Sequence, residues 1–362
     1  MGGITGLMGG DTAVDLGTAT TRVHVKNRGI VLDEPSMVAV NRATGRIVAV
    51  GARAQSMSGR TPDNIITARP LRGGVIADFD LAERMLRAFL HSVHRRRHLA
   101  RPRMVIAVPT GITMVERRAV EEAGYQVGAR KVYIIEKPMA AALGAGLAVA
   151  GLTAVMVVDL GGGTTDVAIM AAGGVVVSRS IRVGGDDLTQ AVMNLFKRRY
   201  GVLLGERMAE EIKITAGSAF PGTATRDHAE VRGRSLGSGL PCVITVPADE
   251  LREALAEPLK AIVEAIRAVL DQCPPELAGD LMDDGISLAG RGAQLSGLDQ
   301  LLEEQTGIAV RPAGDSVGSV VLGAASFLQN LSKYDPMAMA HSDRRVAAWV
   351  PSTEGRAWLR SV

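Results

Sequence analysis

The stretch Val14-Asp-Leu-Gly-Thr-Ala-Thr-Thr-Arg-Val-His-Val25 decides the fold, because it returns as Val158-Asp-Leu-Gly-Gly-Gly-Thr-Thr-Asp-Val-Ala-Ile169. Seven of the twelve aligned positions are identical, whereas chance supplies roughly one at ordinary amino-acid usage. The two copies start 144 residues apart, which is about the length of one domain. We therefore predict two related lobes, each opening with a strand, a tight turn and a returning strand.

The chemistry of each copy favours phosphate binding. An apolar strand ends at an aspartate, and the glycine that follows turns the chain without a Cβ in the way. Backbone N–H groups and threonine hydroxyls in such a turn form a concavity that attracts anions. The aspartate is well placed to hold a hydrated Mg²⁺, since that ion keeps several of its waters in proteins. Two such hairpins facing each other would clamp the β- and γ-phosphates of a nucleotide.

The composition excludes several other classes of protein. The 362 residues are 47% hydrophobic and 22% charged, which argues against a disordered chain and allows about two domains. The two cysteines, Cys242 and Cys273, form no disulfide framework and show no metal-binding spacing. The formal charge of +3 is local, because residues 95–103 contain five arginines. We therefore expect no nucleic acid as a partner.

One uncharged stretch, from Pro138 to Val158, is long enough to span a membrane. Glycines interrupt it, alanine dominates its first half, and it ends in a β-type run before Asp159. We therefore predict a helix of small residues, a turn and a buried strand instead of a membrane span. The first ten residues lack the basic start and long apolar segment of a signal peptide, so we expect a cytoplasmic protein.

These motifs resemble those of a known family. Asp15-Leu-Gly-Thr-Ala-Thr20 and Asp159-Leu-Gly-Gly-Gly-Thr-Thr-Asp166 look like the two phosphate motifs of the superfamily of actin, sugar kinases and heat-shock chaperone ATPases. Within it, the chain is similar to the MreB/Mbl family of bacterial actin homologues over roughly residues 10–330. Further family-like motifs are Lys26-Asn-Arg-Gly-Ile-Val-Leu-Asp-Glu-Pro-Ser36, Pro138-Met-Ala-Ala-Ala142 and Gly205-Glu-Arg-Met-Ala-Glu-Glu-Ile-Lys213.

The resemblance implies an α/β, actin-like fold. Its two related lobes would each contain a mixed five-stranded sheet flanked by helices, with the nucleotide cleft between them. Lobe I would comprise residues 1–143 plus 315–330, and lobe II residues 144–314, with a small outer subdomain at about 186–248. Residues 331–362 would form a C-terminal tail, which we expect to be flexible because they exceed the family pattern.

The resemblance also implies ATP and Mg²⁺ as ligands. Asp15 and Asp159 would hold Mg²⁺ through water, while Glu210, Glu211 and Lys213 would reach the nucleoside. The residues implied at the phosphates and at the adenosine turn are Thr18, Ala19, Thr20, Gly161, Gly162, Gly163, Thr164, Gly290, Arg291, Gly292 and Ala293. The spacing of Glu210 and Lys213 by three residues is also typical of a solvated ion pair on a helix, and this alternative stays open.

Two positions depart from the family pattern. Where the family has Glu-Glu-Pro, this chain has Glu136-Lys137-Pro138, and the residue before the proline is the one that orients the attacking water in the family. A protonated lysine has three donors and no acceptor, and Glu136 points in a different direction. We therefore hypothesise that hydrolysis is slow or absent, and that the Lys137 cation neutralises phosphate charge or occupies the Mg²⁺ position.

The second departure is Arg291 in Leu288-Ala-Gly-Arg-Gly-Ala-Gln294, where the family has glycine. A side chain at this turn would cost about 1–2 kcal/mol if the residue had a positive φ, and its bulk would crowd the adenosine. Alternatively, the guanidinium stacks on the adenine or pairs with a phosphate oxygen.

Membrane contact has its own candidate residues. Arg95, Arg96, Arg97 and Leu99 lie where the family has a membrane-touching loop, and basic residues near anionic lipid contribute about 1 kcal/mol each. A solvated loop is the alternative. Leu7 and Met8 would add a shallow N-terminal anchor, although the surrounding glycines make a poor amphipathic helix.

Two functions therefore compete. The first is a cytoskeletal protein that forms nucleotide-dependent filaments, paired and attached to the inner face of the cytoplasmic membrane, which organise cell-wall synthesis and cell shape with membrane proteins of that machinery. The second is a hydrolysis-deficient subunit that binds ATP and modulates an active MreB homologue.

Overall fold

The computed structural model describes residues 10–93 and 101–331. The first part of the chain forms ten strands and four helices: β1 Thr12–Leu16, β2 Thr20–Val25, β3 Gly29–Pro35, β4 Val38–Asn41, β5 Ile47–Val50, α1 Gly51–Met57, β6 Ile65–Ala68, β7 Leu71–Arg72, β8 Val75–Ile76, α2 Phe79–Val93, β9 Arg103–Val108, α3 Met114–Gln126, β10 Lys131–Glu136 and α4 Lys137–Gly144.

The second part begins with another hairpin and ends on a helix. Its elements are β11 Val155–Leu160, β12 Thr165–Ala171, β13 Gly174–Ile181, α5 Gly185–Arg199, β14 Val202–Leu203, α6 Glu206–Ala216, β15 His228–Ser235, β16 Pro241–Pro247, α7 Ala248–Leu270, α8 Pro275–Asp284, β17 Ile286–Ala289, a 3₁₀ turn Arg291–Gln294, α9 Leu298–Thr306, β18 Val310–Pro312 and α10 Ser319–Gln329.

The two large sheets share one topology. Sheet I has the order β3-β2-β1-β9-β10, and sheet II has the order β13-β12-β11-β17-β18. In each, the first three strands are antiparallel neighbours, and the last two run parallel to the strand that carries the aspartate. The predicted duplication, with one mixed five-stranded sheet per lobe, is therefore confirmed. We call the parts built on sheets I and II lobe I and lobe II.

Each lobe carries an additional three-stranded sheet. The order is β5-β4-β6 in lobe I and β14-β15-β16 in lobe II. The second of these falls within the range expected for the outer subdomain of lobe II. The residue boundaries of the lobes and of this subdomain stay predictions.

The core consists mainly of aliphatic side chains, with Phe89, Phe196 and Phe327 as its buried phenylalanines. One cluster lies between the two sheets and contains residues of both, together with residues of α4 and α10. These two helices cross at Gly144 and Gly323, where an added Cβ would lie only 1.8 and 1.7 Å from backbone oxygens of the facing helix. Only glycine permits this approach, so the crossing fixes both helices between the lobes.

The stretch from Pro138 to Val158 forms most of α4, a loop and the start of β11, as predicted. Among the residues that the structure describes, no helix is both long and apolar enough to cross a membrane. The candidate membrane residues Leu7, Met8, Arg95, Arg96, Arg97 and Leu99 lie outside the described residues, as does the tail beyond Leu331.

Candidate functional site

The carboxyl ends of β1 and β11 meet at a cleft between the lobes, and the turns of the repeat lie at the ends of these strands. Both turns close with the same hydrogen bond: Gly17 N donates to Thr20 O at 3.1 Å, and Gly161 N donates to Thr164 O at 2.9 Å. The predicted residues that line this cleft are Asp15, Thr18, Ala19, Thr20, Lys137, Asp159, Gly161, Gly162, Glu210, Lys213, Gly290, Arg291 and Gly292.

The two turns touch each other across the cleft. A Cβ added to Gly163 would lie 2.5 Å from Thr18 Oγ1, and one added to Gly162 would lie 2.5 Å from the Cβ of Ala19. The Thr18 hydroxyl also accepts a hydrogen bond from Gly74 N at 2.9 Å. The turn of lobe II therefore needs glycine at these two positions, where the turn of lobe I carries side chains.

The first turn of α5 holds the turn of lobe II from the other side. Gly185 N donates to Gly161 O at 2.9 Å, and Asp186 N donates to Gly162 O at 2.8 Å. The carboxylate of Asp186 also lies 3.0 Å from Arg69 Nη1 of lobe I. The turn is thus fixed both by its own lobe and by an ion pair across the cleft.

A line of alternating charges, which we call the charge chain, runs from the floor of the cleft to its mouth. Lys137 Nζ lies 3.3 Å from Asp15 Oδ1, and Arg22 Nη1 lies 3.5 Å from Asp15 Oδ2. Arg22 Nε lies 3.3 Å from Asp33 Oδ1, and Asp33 Oδ2 lies 3.3 Å from Arg291 Nη2. The first four members belong to lobe I and the last to lobe II. The inner three are buried, whereas Asp33 and Arg291 are about half exposed.

Two further carboxylates lie on the lobe II side of the floor. Asp159 and Asp166 face each other across β11 and β12, and Asp166 accepts hydrogen bonds from Thr110 N at 3.0 Å and from Thr164 Oγ1 at 2.9 Å. Burial raises the pKa of Asp159 to about 7; the nearby Lys137 opposes this shift, and Asp166 adds to it. Asp159 is therefore partly protonated near neutral pH.

Burial alone would lower the pKa of the Lys137 ammonium. The negative charges of Asp15, Asp159 and Asp166 together outweigh that effect, so the pKa of Lys137 is raised. Lys137 consequently stays a cation at neutral pH although its residue is only 6% exposed.

A hydrated Mg²⁺ does not fit the arrangement around Asp15. An ion held through water lies about 4 Å from a carboxylate oxygen, because a metal–water bond of about 2 Å is followed at an angle by a water–carboxylate hydrogen bond of about 2.7 Å. The ammonium of Lys137 lies within that distance of Asp15 and takes up the space. Within residues 10–93 and 101–331, no three acidic, histidine or cysteine side chains are grouped so that they could hold a metal ion.

Glu210 and Lys213 of α6 lie on the cleft, but they bind each other. Lys213 Nζ donates to Glu210 Oε2 at 2.5 Å, to Gly185 O at 2.9 Å and to Thr189 Oγ1 at 3.0 Å. An ion pair on the helix is therefore present, but it is not the solvated pair of the alternative, because Lys213 is buried. All three ammonium donors are used, so contact with a nucleoside requires one of these bonds to exchange. Glu211 is exposed and does not line the cleft.

The turn after β17 explains how the chain accommodates Arg291. Gly290 has φ +85°, and an added Cβ there would lie 2.3 Å from Leu160 O. Arg291 is not among the residues with positive φ, so the expected backbone strain does not arise. Its guanidinium is directed to Asp33 of lobe I, a contact across the cleft mouth that the sequence-based alternatives did not include.

The remaining predicted residues lie beside the cleft. Glu136 precedes α4 and lines a different cavity with Arg117 and Met139, where it accepts a 3.5 Å hydrogen bond from Thr110 Oγ1. Gly163 and Thr164 belong to the turn but face Thr18 and Asp166, and Ala293 lies in the 3₁₀ turn.

Sequence reasoning missed the roles of Arg22, Asp33 and Asp166. Arg22 and Asp166 occupy equivalent positions of the repeat, directly opposite the two strand-end aspartates. The alignment of the two copies therefore contained the signal, because it placed opposite charges at one position.

The chain is similar to known proteins over most of its length. Residues 9–336 match the model of the family described as MreB/Mbl protein. The chain is 48% identical over 334 residues to the cell shape-determining protein MreB of Escherichia coli (strain K12), covering 91% of this chain and 96% of that one. The crystal structure of MreB5 of Spiroplasma citri bound to ADP is similar with a TM-score of 0.85, at 32% identity over 90% of this chain and 98% of that one.

A further likeness concerns the fold alone. The chain resembles the MamK double helical filament with a TM-score of 0.73, at 21% identity over 88% of this chain and 99% of that one. The predicted actin-like fold is therefore confirmed, and the chain belongs to the MreB/Mbl family.

Proposed function

We propose that this chain is an actin-like cytoskeletal protein that assembles into filaments with a nucleotide bound between its lobes and thereby determines cell shape. The observation that carries the proposal is the pair of repeated turns that touch across the cleft of a chain from this family. The relationship to a cell shape-determining MreB supports the cellular role, and the likeness to a double helical filament supports assembly.

We propose ATP as the nucleotide. Backbone N–H groups of the two turns and the hydroxyls of Thr18 and Thr20 would bind the phosphates, since such turns attract anions. The MreB5 relative binds ADP, which supports a nucleotide at this site. The pocket beside Lys213 and the glycine turn after β17 would receive the nucleoside. Mg²⁺ is left out of the proposal because Lys137 occupies the space beside Asp15.

We further propose that hydrolysis is slow. The family resemblance implies a glutamate at the position of Lys137, whereas an ammonium paired with Asp15 has no acceptor with which to orient water. Glu136 lines another cavity and so does not replace it. In a single-turnover assay, the parent should release phosphate more slowly than Lys137→Glu. Hydrolysis by the parent at a rate typical of the family, with no gain in Lys137→Glu, would contradict this.

A role as a modifier of an active homologue is not favoured. A relative that aligns with 91% of the chain is itself named a cell shape-determining protein. Filaments of the chain alone, without an added homologue, are therefore the expected result.

The proposed setting is the inner face of the cytoplasmic membrane, beside membrane proteins of cell-wall synthesis. The arginine-rich loop and the N-terminal residues are the candidate contacts, and both lie outside the described residues. Liposome flotation tests this part of the proposal, since neutralising Arg95, Arg96 and Arg97 should reduce binding to anionic vesicles.

Electron microscopy and pelleting test the main proposal. Purified protein should pellet and form filaments on a lipid monolayer when nucleotide is added, and phosphate release measured in parallel should be low. If the protein neither pellets nor forms filaments with ATP, with ADP or without nucleotide, the cytoskeletal proposal is wrong.

A further inference from the structure

The ammonium of Lys137 lies at the point where both lobes contribute buried carboxylates. Lys137 is the first residue of α4, and its Nζ lies 3.3 Å from Asp15 Oδ1 in lobe I. Asp159 and Asp166 of lobe II act on the same ammonium through their charge. Asp15 contacts this cation and Asp159 lines the same cleft, and these two residues and Asp166 are each no more than 5% exposed.

Two side chains of the chain itself supply the charge that a metal would bring. The Lys137 ammonium places one positive charge beside Asp15 Oδ1. Arg22 contributes a second fixed cation, because its Nη1 lies 3.5 Å from the other oxygen of Asp15. Both oxygens of Asp15 thus face a cation of the chain itself.

The ammonium is also close to the proposed phosphate site. A Cβ added to Gly17, at the start of the first turn, would lie 3.8 Å from Lys137 Nζ. A lysine binds phosphate as a compact point charge. A phosphate held by the first turn would therefore lie beside the ammonium and gain the neutralisation that a bound metal otherwise provides.

We propose that Lys137, supported by Arg22, is a built-in cation that replaces Mg²⁺, so that this chain binds nucleotide without a divalent metal. This inference rests on the proposed nucleotide site. It assigns to Lys137 a role in binding that is separate from its effect on hydrolysis.

Calorimetric titration of AMPPNP in excess Mg²⁺ and in EDTA tests the inference. We expect the Kd of the parent to differ by less than about threefold between the two buffers. In Lys137→Glu, a carboxylate replaces the ammonium beside Asp15, and Arg22 is the cation left in contact with Asp15. We therefore expect the Kd of this variant to rise by about 100-fold in EDTA and to recover in Mg²⁺. If the Kd of the parent for AMPPNP is about tenfold or more higher in EDTA than in Mg²⁺, the inference is overturned.

Matched variants keep the test decisive. Lys137→Gln removes the positive charge and keeps a side chain of similar length, so it replaces Lys137→Glu if that variant does not fold. We expect its Kd for AMPPNP to rise by about tenfold in EDTA. Lys197→Gln makes the same change on an exposed position of α5 and should behave as the parent does. Circular dichroism checks that each variant is folded.

A metal-binding measurement separates this inference from the nucleotide proposal. Electron paramagnetic resonance should show that nucleotide-free Lys137→Glu binds Mn²⁺ more tightly than the parent, by about tenfold or more. Equal Mn²⁺ binding by both proteins would overturn the inference. A parent that binds no AMPPNP in either buffer would contradict the proposed nucleotide site, and the Mn²⁺ result would then decide the role of Lys137.

Discussion

The two hairpins of the repeat differ in the residue that faces the strand-end aspartate. In lobe I, Asp15 lies opposite Arg22; in lobe II, Asp159 lies opposite Asp166. The first hairpin therefore neutralises its own aspartate, whereas the second places two buried carboxylates together. The Thr164 hydroxyl of lobe II compensates them in part, and lobe I adds the Lys137 ammonium and the Thr110 N–H. The comparison teaches that lobe I completes the charge balance of lobe II.

Their turns also differ in bulk. Lobe I has Thr18 and Ala19 where lobe II has Gly162 and Gly163, and the side chains of the first turn fill the space left by the glycines of the second. One copy is thus shaped to receive the other. The duplicated hairpins have become complementary parts that are not interchangeable.

Removing the cation from the first hairpin should have the largest effect. In Arg22→Met, one oxygen of a buried carboxylate loses its partner, and breaking a buried ion pair costs about 3–5 kcal/mol. Urea denaturation should show this loss, whereas Arg42→Met at an exposed position should change the free energy of unfolding by less than about 0.5 kcal/mol. The double variant Asp15→Asn/Arg22→Met should recover part of the loss. A loss below about 1 kcal/mol for Arg22→Met would mean that Lys137 alone balances Asp15.

Filling the gap between the turns should have an intermediate effect. In Gly163→Ala, the new methyl group would lie 2.5 Å from Thr18 Oγ1, and such overpacking costs about 1–3 kcal/mol. Thermal unfolding should show a lower midpoint for this variant than for Gly237→Ala, where nothing lies within 4 Å of the new Cβ. Thr18→Gly should recover part of the difference when combined with it. Equal midpoints for the two alanine variants would show that the turns do not touch in solution.

The outer end of the charge chain should contribute least. Arg291 and Asp33 are about half exposed, and exposed ion pairs contribute about 0.2–1 kcal/mol. A double-mutant cycle with Arg291→Met and Asp33→Asn, followed by urea denaturation, should give a coupling energy in that range. If the two substitutions change the free energy of unfolding additively, this contact does not hold the cleft mouth closed.

The hairpins and the sheets were predictable from the sequence because their signals are local. A strand, an aspartate and a glycine turn lie within twelve residues, and their repetition predicted two related lobes that each open with a hairpin. The family resemblance implied the mixed five-stranded sheets, which the structure confirms. The ion pair of Glu210 and Lys213 was equally accessible, since both residues lie on one face of one helix turn. Glu211 points away for the same reason, because it is one residue from that face.

The charge chain was not predictable in the same way. The contact of Asp33 with Arg291 joins residues 258 positions apart, and it exists only because the two lobes close on each other. The direction of the Lys137 side chain depends on how β10 passes into α4, which the sequence pattern around Pro138 did not specify. Lys137 and Arg291, which depart from the family pattern, were visible in the sequence. Their contacts with Asp15 and Asp33 could be identified only from the folded structure.

The crossing of α4 and α10 has a mechanical consequence. Helix α4 carries Lys137 at its first residue and meets α10 through Gly144 at its last, so its eight residues act as a rigid arm about 12 Å long. A rotation of about 10° at the glycine contact would displace the far end of such an arm by about 2 Å. Because that end carries the ammonium, a small rotation of α4 against α10 would change the electrostatic potential at the cleft floor.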